Sequence, residues 1–86
     1  MQPAQAPGVL FPNPARTQFV LSTGEPGLSA VECVDMFGRT VARHARIPAT
    51  ASEWTIHAED LPEGMYFVVW QLRDGRRGSG KILIVK

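Results

Sequence analysis

The sequence predicts an all-β fold, an antiparallel sandwich of six or seven short strands. Three observations lead there. No stretch sustains helical periodicity. Short runs rich in Val, Ile, Phe and Trp recur, each bounded by Gly, Pro, Asn or Asp. One run, Met65–Trp70, is apolar on both faces, which suits a strand in the middle of a sheet.

Val9-Leu10-Phe11 is a short apolar run stopped by Pro12-Asn13-Pro14, since neither proline can donate to a ladder. Thr17–Ser22 is the next strand, with Phe19 and Leu21 on one face, and Thr23–Gly27 is a turn. Leu28–Phe37 follows, with Val31 and Cys33 facing one way until alternation blurs after Cys33. Gly38-Arg39 breaks the run and Thr40–His44 resumes it, a hairpin signal. Ala45–Ser52 is a loop around Pro48, and Glu53–His57 alternates with Trp54 and Ile56 inward.

Pro62 and Gly64 make the turn that feeds the organising strand, Pro62 by its fixed φ and Gly64 by its tolerance of positive φ. Along that strand Tyr66, Val68, Trp70 and Leu72 share one face, and Met65, Phe67, Val69 and Gln71 the other. Asp74-Gly75 is a hairpin turn, and Lys81–Lys86 is the last strand.

At 86 residues the chain is one small domain, and 44% hydrophobic residues suffice for a core. A net charge of +1 drives no binding to nucleic acid or membrane surfaces. No apolar run approaches the ~20 residues of a helical membrane span. Met1–Gly8 has neither the basic start nor the apolar centre of a signal peptide; it reads as a linker, residues 1–8, from an upstream cargo, with the domain at 9–86. Cys33, the single cysteine, can form no internal disulfide and reads as a small buried hydrophobe.

No catalytic or metal constellation emerges, and no cofactor is implied: His44 and His57 lie on different strands without HxxxH or HExxH neighbours. Asp60 and Glu63 read as loop-solvating carboxylates. Asp74–Gly80 lacks the phosphate-loop pattern. From Arg73 to Lys86 there are five basic side chains and one acidic one, without the aromatic interleaving that nucleic-acid binding uses. Tyr66 has the spacing of a tyrosine corner, a structural latch. Met65, Phe67 and Val69, if no other layer covers them, form an exposed apolar docking patch, which could also pair two copies of the domain weakly.

Four segments in order resemble the C-terminal sorting domain of proteins exported by the type IX (Por) secretion system of Bacteroidetes. They are Leu10-Phe11-Pro12-Asn13-Pro14-Ala15, Val31–Val41 with its Asp35-x-x-Gly38-Arg39, Asp60–Val68 with its Leu61-x-x-Gly64-x-Tyr66, and the basic-bracketed Lys81-Ile82-Leu83-Ile84-Val85-Lys86. Cys33-Val34 and Met65 depart conservatively from the residues usual there. The resemblance implies a seven-stranded immunoglobulin-like β-sandwich that is an export address and not an enzyme. It implies recognition in the periplasm by the outer-membrane translocon and its shuttle proteins. A sortase-like cysteine protease would then cut in or before the Gln2–Gly8 linker, leaving the cargo at the cell surface or secreted. Lys81–Lys86 is the expected site of strand addition, while Gly64 and Tyr66 either shape a turn for the machinery or hold the fold. The rival reading is a carbohydrate-binding or fibronectin-like accessory module with Trp54 and Trp70 as a sugar platform.

Overall fold

The computed structural model describes residues 5–86. Seven strands alternate with turns: β1 (Val9–Phe11), β2 (Gln18–Ser22), β3 (Leu28–Val34), β4 (Thr40–His44), β5 (Glu53–His57), β6 (Gly64–Leu72) and β7 (Arg77–Ile84). They form two sheets, one ordered β1-β2-β5 and the other β4-β3-β6-β7, with every named pairing antiparallel. This is the predicted all-β sandwich in its seven-stranded, immunoglobulin-like form.

The inner faces supply the core, as period-two alternation requires. Phe19, Leu21 and Ile56 from the three-stranded sheet meet Leu28, Val31, Cys33, Val68, Trp70 and Leu72 from the other. Ile82 and Ile84 of β7 are fully buried in the same core. Strand β6 is central, paired with β3 and β7, but only one of its apolar faces is covered: Tyr66, Val68, Trp70 and Leu72 are buried. Cys33 is buried, as its surroundings in the sequence suggested, and burial pushes its thiol up to about 11.

Two strand boundaries differ from expectation. Strand β3 ends at Val34, not Phe37, because Asp35 starts a tight turn after a register shift between Cys33 and Val34. Strand β7 begins at Arg77, four residues earlier than predicted. Gly78 and Gly80 hid it, since glycine weakens a strand by entropy and lack of packing. Here space demands them. A Cβ on Gly78 would lie 2.4 Å from Trp70 Nε1, and one on Gly80 3.0 Å from Leu10 Cδ1.

The stretch read as a linker has structure of its own. Residues 1–4 lie outside the described residues, but Gln5–Gly8 run against the sandwich. Ala6 is buried; its N–H donates to Arg77 O at 2.9 Å, and its carbonyl accepts from Trp70 Nε1 at 2.8 Å.

Candidate functional site

The sequence motifs do internal work. In Pro12-Asn13-Pro14-Ala15 the prolines bar the backbone from a ladder, and the Asn13 side chain substitutes for it. Its amide, which carries both a donor and an acceptor as a peptide group does, donates to Lys81 O and accepts from Leu83 N, each at 3.1 Å. Ala15, fully buried, continues the pairing: its N–H donates to Leu83 O at 2.8 Å and its carbonyl accepts from Val85 N at 2.9 Å. The peptide bonds before Pro12 and Pro14 are both cis.

Leu61-x-x-Gly64-x-Tyr66 is a latched corner. The Tyr66 hydroxyl donates to Pro62 O at 2.6 Å, and Gly64 sits at φ 151°, where a side chain would be strained. Leu61 packs on the core. Burial raises the Tyr66 pKa, so the phenol keeps the proton it donates. Gly64 and Tyr66 thus both hold the corner.

Asp35-x-x-Gly38-Arg39 is a self-contained turn. Asp35 Oδ1 accepts from the backbone N–H groups of Phe37 and Arg39, both at 2.9 Å, and Oδ2 accepts from Arg39 Nε at 2.8 Å. Gly38 takes φ 85° and donates to Asp35 O. The Arg39 backbone N–H, aided by its guanidinium and the Phe37 N–H, holds the Asp35 carboxyl below the usual range. The turn spends Asp35, Gly38 and Arg39 on itself and presents the two residues between them. Met36 is 69% exposed and Phe37 85%.

The terminal segment is split between core and surface. Ile82 and Ile84 point inward, Leu83 and Val85 are half-buried, and Lys81 and Lys86 are exposed. The Lys86 N–H donates to Glu63 Oε1 at 3.0 Å, and its ammonium reaches the carbonyls of Ala58 and Glu59. Strand addition along Lys81–Lys86, expected from the sequence, therefore meets an occupied edge. Lys81 O, Leu83 N, Leu83 O and Val85 N already bond Asn13 and Ala15.

What remains open is the outer face of the four-stranded sheet. Phe67 lies opposite Val34 on β3 and Lys81 on β7; Val69 lies opposite Glu32 and Ser79; Met65 lies opposite Leu83. Phe67 and Val69 are 38% and 37% exposed, and Met65 is half-buried. A groove of about 250 Å³, lined by Phe37, Arg39, Val41, Pro62 and Met65 among others, joins this face to the Asp35–Arg39 turn. Cations border it: Lys81 Nζ stands 6.0 Å from the Phe67 ring centre, and the Arg39 guanidinium 5.5 Å from that of Phe37. Arg43 at one margin is paired with Glu32 at 2.9 Å. The sequence had pointed to Met65, Phe67 and Val69 but hid Met36 and Phe37 within a strand. The lost alternation after Cys33, together with Gly38-Arg39, was the available signal.

The two tryptophans do not form a platform. Trp70 is buried under Ala6, while half-buried Trp54 packs tilted against His44, with ring centres 5.8 Å apart. His57 is exposed. Of the basic residues near the chain end, Arg76 pairs with Asp74 and Glu25, and Arg73 donates to Ile47 O.

Residues 9–86 match the family model described as secretion system C-terminal sorting domain. No curated protein matches the chain.

Proposed function

Because this chain belongs to the family of secretion system C-terminal sorting domains, we propose that the outer face of its four-stranded sheet is the part of the type IX export address that the machinery reads. The observation that carries this reading is a division of labour. Asn13, Ala15, Asp35, Gly38, Arg39, Gly64 and Tyr66 are consumed in holding turns and edges, whereas Met36, Phe37, Phe67 and Val69 are left to solvent, with half-buried Met65 lining the groove between the turn and the face of β6. Apolar surface of this kind marks a docking site, and buried aromatics dominate docking energy. The partners on this reading are the outer-membrane translocon and its shuttle proteins. The cargo passes through the periplasm, and a sortase-like cysteine protease cuts upstream of the sandwich, within or before residues 1–8.

The test is a reporter fused to the 86-residue chain in a type IX-competent host. The double variant Phe37→Ser, Phe67→Ser alters two outward-facing side chains and should leave the isolated chain folded, with a midpoint lowered by several degrees at most, roughly 1 kcal/mol for Phe67 in a central strand. Reporter should then accumulate inside the cell. Secretion at the wild-type level from a folded double variant would sink the assignment of this face. Weak pairing of two copies through Met65, Phe67 and Val69 is the competing use of the same surface, read by sedimentation of the wild type against the double variant.

A further inference from the structure

The Gln5–Gly8 segment is fitted to the sandwich by more than contact. A buried indole N–H needs an acceptor, and Trp70 finds its own in the Ala6 carbonyl at 2.8 Å. Two glycines clear the path. A Cβ on Gly78 would stand 2.1 Å from Ala6 O, and one on Gly8 2.7 Å from Trp70 Cζ2. The Ala6 methyl is buried and its N–H is bonded to Arg77 O. Yet the segment rests on the domain from outside. Beside it lies an open groove of about 500 Å³ bounded by Trp70, Arg77 and Gly78. Water entering that groove on release would satisfy the indole N–H, Ala6 O and Arg77 O, so departure of the segment orphans no polar group.

We propose that Gln5–Gly8 is a displaceable strap whose release from Trp70 and Arg77, rather than opening of the sandwich, sets how fast a protease can cut the bonds within it. A protease needs its substrate extended in its own cleft, and a segment bonded to a sheet edge is withheld from it. Cutting then follows the population of the released state. The biological role of the strap rests on the processing proposed above. Its test needs none of the export machinery, so the two readings can fail separately.

The test is digestion of the 86-residue chain by proteinase K, with cut positions read by mass spectrometry. Ala6→Glu sets a carboxylate where the buried methyl lies, in the part of the core that the strap itself closes, and should evict the strap. Cutting within residues 5–8 should then rise roughly thirty-fold, the ratio set by two ordinary hydrogen bonds. Trp70→Phe keeps a ring and removes one donor, and should raise it roughly five-fold. In a Trp54→Phe background, Ala6→Glu should also red-shift Trp70 emission and lower the thermal midpoint by no more than the roughly 8–16 °C that the strap's two bonds carry in a domain of this size. Equal cutting at 5–8 in wild type and Ala6→Glu overturns the proposal. So does a rise in either variant accompanied by cuts across β2 to β7, since the sandwich itself would then be opening.

Discussion

Replacing Asn13 by Ala isolates the edge lock of the terminal strand. Its side chain makes two hydrogen bonds, to Lys81 O and from Leu83 N, both at 3.1 Å and both at the solvent-facing edge. Such bonds contribute about 0.5–1.5 kcal/mol each. Water can replace part of what is lost here, so the lower half of that range applies, about 1–2 kcal/mol for the pair. Against a total stability on the order of 5 kcal/mol this is a large fraction. It corresponds to a fall in thermal midpoint of roughly 5–15 °C for a domain of this size. Circular dichroism melts give the midpoint, and amide exchange at Leu83 should accelerate in the variant. Asn13→Asp sharpens the test. At neutral pH its carboxylate still accepts from Leu83 N but faces Lys81 O without a proton to give, so it should melt near Asn13→Ala. Acidification, which restores a donor, should narrow its deficit relative to wild type. A neutral-pH Asn13→Asp chain as stable as wild type would refute the idea that this amide closes the β7 edge.

Tyr66→Phe removes the 2.6 Å bond to Pro62 O and should cost about 1 kcal/mol in urea unfolding at unchanged m-value; a cost near zero would show the latch to be ornamental. Asp35 has its pKa lowered by folding, so its contribution is present above the ordinary carboxylate range and lost as pH falls through the folded value. Melts of Asp35→Asn between pH 5 and 2 should accordingly be flatter than those of wild type, and parallel curves would break that link. Cys33 should resist thiol reagents in the native chain at pH 8. With its pKa raised by burial from 9.0 to about 11, stability should decline as pH rises through that window, because only the unfolded chain ionises there. A Cys33→Ala chain with the same alkaline slope would exclude the thiol as its source.

How much of this was legible beforehand depends on the range of the interaction. Alternation of Phe19 with Leu21, and of Tyr66, Val68 and Trp70, reported inner faces correctly because the signal lies within one strand. The Asp74-Gly75 hairpin and the Tyr66 corner were equally local, with Gly75 at φ 95°. Gly78 and Gly80 misled because they answer to the bulk of Trp70 across the hairpin and to Ala6 and Leu10, which are remote in the chain. Met36 and Phe37 look like strand residues by propensity; only the bonds of Asp35 to its own turn expel them to the surface. The occupied edge of β7 was illegible for the same reason, since its partners at Asn13 lie 68 and 70 residues away. Trp54 shares the inner face with Ile56, as alternation predicts, but sits at its margin, half-buried on the core and against His44.

The clasp between Asn13, Ala15 and the terminal strand also imposes a schedule. Everything from β1 to β6 can emerge from a ribosome and still lack Ile82 and Ile84, the two side chains that finish the interior. The sandwich cannot close early, because its opening residues wait for its last ones, and pairings this distant in sequence form slowly.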